Sequence, residues 1–292
     1  MPSLAPLPPT RRHRAWLLAL VAAVLALAGC ATLDEQQRRW IFQPSANAWN
    51  GGRGAEGMAD VWIEFTSARA DAPARLHGLW LPQPDPAAPV LLYLHGARWD
   101  VRGSANRMRR MHELGFAVLG IDYRGFGRSS DALPSEALAL EDARAAWAWL
   151  ARERPQARRF VFGHSLGGAI AVALAADVAD EAGLMVEGTF TSIRDVVATY
   201  RWGWLPVGPL ITQRFDAAAR IARVGSPVLV VHGSEDRVIA PELGRALFER
   251  ASGPKRFVLV EGGSHHNTHA IAQPQYRRAL VELFGLHTPS GG

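Results

Sequence analysis

A serine with glycines on either side lies in residues 160–170, FVFGHSLGGAI. Residues 163–167, GHSLG, match G-x-S-x-G, a pattern that places a serine on a sharp turn between a strand and a helix. Side chains two residues before and after the serine would collide in such a turn, and glycine at both places relieves this. Because a helix follows, its free N–H groups favour negative charge that develops near Ser165. The pattern predicts that Ser165 is a nucleophile.

A serine hydroxyl is a weak nucleophile and needs a base, which an acid in turn orients. Beyond Ser165 an acid and a histidine follow in that order, each just past an apolar run. The acid is Asp236 or its neighbour Glu235 in HGSEDRVIAP, and the alternative role for Asp236 is to cap the helix that follows it. The histidine is His265 or His266 in VEGGSHHNT, and the ungapped spacing from the apolar run favours His265.

Apolar runs bounded by turn residues are expected to position these side chains. Seven of them predict strands, at residues 60–68, 74–83, 89–96, 116–127, 158–165, 226–236 and 255–266. Helical spacing appears between most of them, as in residues 103–115 and in the long run 134–155, where Ser135 is the expected N-cap. This alternation predicts an α/β fold with a mostly parallel sheet covered on both faces. Since sites in such sheets form at the carboxyl ends of strands, the serine, acid and histidine are expected at one edge.

Charge and length narrow the class of protein. The 292 residues include 32 Lys and Arg against 27 Asp and Glu, a net charge of +5. Three arginines, at positions 11, 12 and 14, precede the first apolar run, and without them 29 positive charges face 27 negative ones, a net of about +2. No cluster of basic residues with interleaved aromatics follows, so nucleic acid is not an expected partner. We expect one domain at residues 56–287 and a tail at 288–292.

Residues 1–29 have the features of a bacterial export signal. Positive residues precede an apolar run over residues 15–28, which is short for a membrane span of roughly 20 residues. The run ends in LAGC, which resembles a lipobox and implies cleavage before Cys30 and lipidation of its thiol. A plain signal peptide with a chance cysteine is the alternative. We expect a lipid anchor at Cys30 in the cell envelope, facing the periplasm, with residues 30–55 as a tether; Ala31 weakly favours the outer membrane.

From about residue 61 to residue 286 the chain resembles the α/β-hydrolase superfamily, through GHSLGGAIA, PVLVVHGSEDRVIAPELGRALF and VEGGSHHNT. Within it, LHGARWDVRGSANRMRRMHELGFAVLGIDYRGFGRSS is similar to serine hydrolases related to ABHD13, ABHD17 and Bem46. The resemblance implies Ser165 as nucleophile, Asp236 as acid and His265 as base, with the backbone N–H groups of Ala97 and Leu166 as the oxyanion hole. It implies hydrolysis of a carboxylic ester or thioester through an acyl-enzyme, without metal or organic cofactor.

Substrate choice is expected to depend on residues 192–224, where the superfamily inserts caps. Their run YRWGWLPVGPLI either lines an acyl pocket or packs in the core, and Trp99 is a second candidate to face a small acyl ester or lipid-like substrate. Residues 123–127, YRGFG, are expected to form a loop under the site. Two other function classes stay open: a serine peptidase or acyltransferase on the same triad, and a non-catalytic envelope lipoprotein that binds a ligand.

Overall fold

The computed structural model of the protein describes residue 16 and residues 29–47 and 54–286. Most of the predicted signal peptide and the predicted tail lie outside these residues. One sheet contains β1 (Ala59–Ser67), β2 (Ala72–Leu81), β3 (Val90–Leu94), β4 (Ala117–Ile121), β5 (Arg159–His164), β6 (Glu181–Glu187), β7 (Val228–Gly233) and β8 (Lys255–Val260). The helices are α1 (residues 29–42), α2 (Ala105–Glu113), α3 (Glu136–Glu153), α4 (Leu166–Ala175), α5 (Ile193–Thr199), α6 (Pro241–Arg250), α7 (Thr268–Ile271) and α8 (Gln273–Phe284).

The strands follow the order β1-β2-β4-β3-β5-β6-β7-β8. The pairs β1–β2 and β2–β4 are antiparallel, and all other neighbours are parallel, which confirms the predicted fold class. The sequence predicts seven strands, and β6 is the one it misses. Its apolar stretch is short and lies between a glycine and Glu187, so its signal is weak. In the sheet β6 lies beside β5 and pairs Glu187 with His164, next to the predicted nucleophile.

Helices cover both faces of the sheet, because successive strand residues point to opposite sides. In β3, Leu92 and Leu94 pack in a core with residues of α3, α4 and α6. Their neighbours Leu91 and Tyr93 pack in a second core with residues of α2 and α8. All five residues of β3 are therefore buried, and the central strand holds the carboxyl edge of the sheet in a fixed position.

The helix α1 lies in the segment that the sequence assigns to a tether, and its last turn is part of the folded domain. Phe42 is fully buried, and its ring centroid lies 5.6 Å from that of Phe215 and 6.4 Å from that of Phe126. The carbonyl of Phe42 accepts a hydrogen bond from the Arg98 backbone N–H at 2.9 Å. Within the described part of the chain, no helix is long and apolar enough to cross a bilayer. Residues 30–42, in the predicted tether and entry segment, thus form a helix that contacts the folded domain.

The segment 192–224 contains α5 and two short 3-10 turns, Gly208–Leu210 and Ile221–Arg223. Its aromatic side chains point outward: Tyr200, Trp202 and Trp204 are 58%, 61% and 73% exposed. They therefore do not pack in the core, which was one of the two expectations for this run. The physical reason is local, because the chain bends in tight turns there and the backbone satisfies its own hydrogen bonds.

Candidate active site

Ser165 occupies a backbone conformation that few residues other than glycine adopt. Its φ is 56° and its ψ is −124°, between the end of β5 and the start of α4. A Cβ added to Gly163 would collide with the backbone of Gly167, and one added to Gly167 would collide with the carbonyl groups of Leu94 and His95. The two glycines of the G-x-S-x-G pattern are thus required by close backbone approach, as the sequence predicts. Strain of this kind concentrates at functional sites.

The surrounding backbone holds this turn on both sides. The Ser165 N–H donates to the Glu187 carbonyl at 3.0 Å, and the Ser165 carbonyl accepts from the Thr189 hydroxyl at 2.9 Å. All ten residues of α4 are buried, so the helix cannot shift without disrupting the core. Leu166 is its first residue, and its N–H group is at the helix N-terminus, where the helix dipole favours negative charge.

The predicted acid and base meet beyond the ends of β7 and β8. The His265 ring nitrogen Nδ1 lies 2.7 Å from Oδ2 of Asp236, and both residues are buried. The other carboxylate oxygen of Asp236 accepts backbone N–H groups of Val238 and Ile239, each at 2.9 Å. These bonds close a turn before α6, whose own N-cap makes no side-chain bond, so Asp236 does not cap that helix.

A second histidine lies beneath the acid. His232 is fully buried in β7, and its Nε2 lies 3.4 Å from Oδ2 of Asp236 and 3.0 Å from the Ile239 carbonyl. Burial raises the pKa of the Asp236 carboxyl, but hydrogen bonds from His232 and then from His265 lower it further than burial raises it. The net pKa lies below its ordinary value, so Asp236 remains a carboxylate that orients the imidazole of His265.

The alternative residues at both positions lie closer to solvent. His266 and Glu235 are exposed, whereas His265 and Asp236 are 8% and 6% exposed. The rings of His265 and His266 are nearly perpendicular, with centroids 5.4 Å apart. A base needs a fixed ring, and the bond to the Asp236 carboxylate fixes the ring of His265. The geometry therefore favours Asp236 and His265 over their neighbours.

The loop after β3 comes close to the serine. A Cβ added to Gly96 would lie 3.1 Å from Cβ of Ser165, so a larger residue would crowd the nucleophile. His95 is buried between the rings of Tyr123 and Phe126, with centroids 4.6 Å and 5.0 Å away, and its Nδ1 lies 2.6 Å from the Gly96 carbonyl. Burial lowers the pKa of His95, so its neutral ring supports the loop. Ala97, next in the chain, is partly buried.

The loop YRGFG lies under this site, as the sequence predicts. The Tyr123 hydroxyl donates to the His95 carbonyl at 3.2 Å. The Arg124 guanidinium is buried and donates to the Asp142 carboxylate at 2.6 Å, with Glu141 as a second carboxylate partner. These contacts tie the loop to α3, so residues 123–127 support the loop after β3 from below.

An ion pair that sequence reasoning missed holds the backbone of the histidine loop. The Arg107 guanidinium donates to Glu187 at 2.9 Å and to the carbonyl groups of His265 and His266 at 3.0 Å and 3.4 Å. The Tyr276 hydroxyl donates to the second oxygen of Glu187 at 2.8 Å. Arg107 lies in a helix with several arginines, and nothing in its sequence context separates it from those at the surface.

His164, the residue before the serine, has a similar supporting contact. Its ring is buried, and Nε2 lies 3.0 Å from the His265 carbonyl. Burial, followed by the positive charge of Arg107, lowers the pKa of His164 well below its ordinary value, so the ring is neutral. The variable position in G-x-S-x-G thus connects the serine turn to the histidine loop, a role that only the structure shows.

The histidines and carboxylates near the site are not grouped as metal ligands are. In the part of the chain that the structure describes, no group of three or more His, Cys, Asp or Glu side chains is arranged to hold a metal ion. His269, near the histidine loop, is partly buried, and burial followed by the charge of Arg107 lowers its pKa to about 4. This histidine is neutral at ordinary pH and has no part in the Asp236–His265 pair.

Comparison with known proteins agrees with this fold. A family model described as serine aminopeptidase, S33, matches residues 85–215, which include the turn at Ser165. A Mycobacterium tuberculosis protein of uncharacterized function is 34% identical over 261 residues, 88% of this chain and 90% of its own. Rat lysophosphatidylserine lipase ABHD12 is 27% identical over 264 residues, 81% of this chain and 62% of its own.

Solved structures show the same architecture. Est1E from Butyrivibrio proteoclasticus, in a complex with ferulic acid, has a TM-score of 0.64 and 16% identity, with 77% of this chain and all of that chain covered. At that identity the likeness concerns the fold alone. Fold and family together define a hydrolase with the α/β-hydrolase architecture. The chain belongs to the α/β-hydrolase superfamily of serine hydrolases, as the sequence analysis expects.

Proposed function

We propose that the protein hydrolyses a carboxylic ester or thioester through an acyl-enzyme, with Ser165, His265 and Asp236 as the triad. One observation carries the proposal: a buried Asp236–His265 bond of 2.7 Å lies at the same sheet edge as a serine in a strained turn. The lysophosphatidylserine lipase among the similar proteins supports an ester or lipid-like substrate.

The steps follow from the positions of these groups. His265 Nε2 takes the hydroxyl proton as Oγ of Ser165 attacks the acyl carbonyl carbon, and the carbonyl electrons move to its oxygen. The leaving alcohol or thiol departs with the proton from His265 as the carbonyl reforms. A water molecule, deprotonated by His265, then attacks the acyl-enzyme and releases the acid. Asp236 keeps the imidazole in one tautomer and stabilises its charged form.

The negative oxygen of both tetrahedral intermediates needs preorganised donors. We assign this role to the backbone N–H groups of Leu166, at the start of α4, and of Ala97, in the loop beside Ser165. Because backbone groups are the donors, a small apolar side chain at position 97 suffices.

The proposed location is the bacterial cell envelope, through a lipid at Cys30. In the structure Cys30 is exposed near the start of α1, so its thiol is accessible to a modifying enzyme. Two or more acyl chains anchor a protein stably, whereas one chain does not. A Cys30→Ala variant that still fractionates with membranes, like the unchanged protein, would contradict this anchor.

Fluorophosphonate labelling of the full chain in membranes tests the triad, since the reagent reacts with an activated serine. We expect labelling of the unchanged protein and of His266→Ala, and its loss in Ser165→Ala and His265→Ala. Labelling that depends on His266 instead of His265 would reassign the base. No labelling of the folded protein would favour a non-catalytic binding lipoprotein.

A substrate panel separates the remaining enzyme classes. We expect turnover of p-nitrophenyl esters within a series from acetate to palmitate, and the preferred chain length gives the acyl class. The matching family model carries the name of an aminopeptidase, so peptide p-nitroanilides belong in the panel. Turnover of a peptide faster than of any ester would make the protein a peptidase. Acyl transfer to an added alcohol faster than hydrolysis would make it an acyltransferase.

A further inference from the structure

Six large apolar side chains project into solvent from two neighbouring segments, the end of α1 and residues 200–210. Trp204 is 73% exposed and Trp40 is 66% exposed. Large exposed apolar groups that occur together, unlike scattered ones, indicate an interaction site. We call this set the aromatic surface; its members are Trp40, Tyr200, Trp202, Trp204, Leu205 and Leu210.

Hydrogen bonds fix the two segments to each other. The Gln37 side-chain amide donates to the Leu210 carbonyl at 2.7 Å, and its oxygen accepts the Thr212 N–H at 2.9 Å. Trp40 lies three residues after Gln37, on nearly the same side of α1. The loop is ordered by its own turns, including Leu205 N–H to the Trp202 carbonyl at 3.0 Å. The rings are therefore displayed by an ordered backbone and are not needed to hold it.

The loop of the aromatic surface contains one positive charge, whereas the arginines near Trp40 on α1 are paired with acids, Arg38 with Asp34 and Arg39 with Glu35. Between residues 196 and 212 the chain has one arginine, Arg201, and no acidic residue. The Arg201 guanidinium carbon lies 5.6 Å from the centroid of the Trp202 ring. Tryptophan and tyrosine combined with arginine are typical of segments that lie in the headgroup region of a bilayer, and arginine is attracted to anionic lipids.

The aromatic surface is also continuous with both the anchor and the site. Cys30, the predicted lipid attachment, lies ten residues before Trp40 on the same helix, about 15 Å along its axis. At the other end of α1, the Phe42 carbonyl accepts the Arg98 N–H beside Ala97. A lipid at Cys30 would therefore bring the aromatic surface to a bilayer, and α1 would connect that contact to the oxyanion loop.

We infer that the aromatic surface inserts into the headgroup region of an anionic bilayer and holds the site next to lipid substrates. The membrane contact depends only on this surface, whereas the use of lipid substrates rests on the proposed ester hydrolysis. The two parts need separate readouts, so that failure of one is not mistaken for failure of the other.

Fluorophore labelling tests the membrane contact, since Cys30 is the only native cysteine. The full chain carries an environment-sensitive dye at Trp204→Cys, and a matched chain carries it at Val281→Cys, an exposed apolar site on α8. Unsubstituted protein, treated with the same dye, gives the signal from any dye attached to Cys30. On vesicles of phosphatidylcholine and phosphatidylglycerol, we expect a blue shift at position 204 alone. The same response at both positions, or none at position 204, would overturn the inference.

Activity on two substrates tests whether the aromatic surface holds the site next to lipid substrates. The variant Trp40→Gln/Trp202→Gln/Trp204→Gln is compared with Leu259→Gln/Ile271→Gln/Val281→Gln, which removes exposed apolar groups elsewhere. We expect the first variant alone to lose about tenfold in turnover of a long-chain ester in vesicles, while both keep turnover of a short soluble ester. Equal vesicle activity in both variants would overturn the inference. No turnover of the soluble ester by unchanged protein would instead refute the proposed hydrolysis.

Discussion

Among the described residues, two buried histidine–aspartate pairs have a ring nitrogen within 2.9 Å of the carboxylate, at positions 265 and 236 and at positions 77 and 122. His265 Nδ1 lies 2.7 Å from Asp236, and His77 Nδ1 lies 2.9 Å from Asp122. Both aspartates follow parallel strands at the same edge of the sheet, since Asp236 comes after β7 and Asp122 directly after β4. By the distance between ring and carboxylate alone, the two pairs are almost the same.

The difference is in the second ring nitrogen. His77 Nε2 lies 2.8 Å from Asp60, whose other oxygen forms an ion pair with Arg128 at 2.8 Å. Among the described residues, by contrast, nothing forms a hydrogen bond with Nε2 of His265. A base in catalysis needs one nitrogen for orientation and one that is free for the reacting proton. The uncommitted nitrogen agrees with the proposed role of His265 as a base, and the two carboxylates on the ring of His77 agree with a structural role.

The largest expected effect comes from removing each histidine in turn. For His265→Ala we expect kcat/KM on a soluble ester to fall by roughly a thousandfold or more, because the base for Ser165 is lost. For His77→Ala we expect a lower free energy of unfolding and nearly unchanged turnover per folded molecule. Ester kinetics, normalised to the folded fraction from circular dichroism, measure both. A similar loss of turnover in the two variants would remove the distinction between the pairs.

The three residues of the proposed triad can be predicted from the sequence because their signals are local. Ser165, Asp236 and His265 each follow a recognisable strand, and glycine spacing identifies the tight turn at the serine. The residues that hold the site in place act through contacts distant in sequence, so no local pattern predicts them. Arg107 contacts a carbonyl 158 positions away, and Phe42 lies in a helix without a clear pattern of its own. For the rings at positions 200–204 the sequence leaves two placements open, a pocket lining or the core, because aromatic composition alone does not separate exposed rings from buried ones.

A smaller effect is expected from the contacts that hold the backbone near each histidine in place. His77 lies within a strand, whereas the His265 loop depends on the buried Arg107–Glu187 ion pair. For Arg107→Met we expect a loss of about 3 kcal/mol in the free energy of unfolding, because Glu187 stays buried without its cation. On the same helix, Arg110 pairs with exposed Glu113, so Arg110→Met should cost less than about 1 kcal/mol.

Urea unfolding of both arginine variants measures this difference, and kinetics at low urea reveal the link to the site. If Arg107 positions the His265 loop, the folded Arg107→Met protein loses kcat more than it changes KM, and Arg107→Lys recovers part of it. A stability loss with unchanged kcat would give Arg107 a structural role alone. Equal costs for the two methionine variants would show that the buried ion pair adds nothing.

The smallest expected effect is a difference in pH dependence between the two pairs. Burial lowers the pKa of His77, but the hydrogen bonds that its ring donates to Asp122 and Asp60 raise the pKa more, and the charge of Arg128 opposes them; the net pKa lies above its ordinary 6.5. The folded state thus binds this proton more tightly than the unfolded state does. Its stabilisation is complete below about pH 6.5 and is lost as the pH rises through the folded pKa. The stabilisation that comes from Asp236 depends on pH in the opposite direction.

The pKa of Asp236 is lowered from an ordinary 3.8, so its stabilisation is complete above that value and is lost as the pH falls through the folded pKa. The free energy of unfolding, measured across the pH range, should therefore have a smaller slope just above pH 6.5 in His77→Gln and a smaller acid slope in Asp236→Asn than in the unchanged protein. A slope just above pH 6.5 that is unchanged in His77→Gln would mean that His77 is neutral when folded. A neutral ring has one N–H and could donate to only one of Asp122 and Asp60, which would contradict the assignment of both ring nitrogens of His77 as donors.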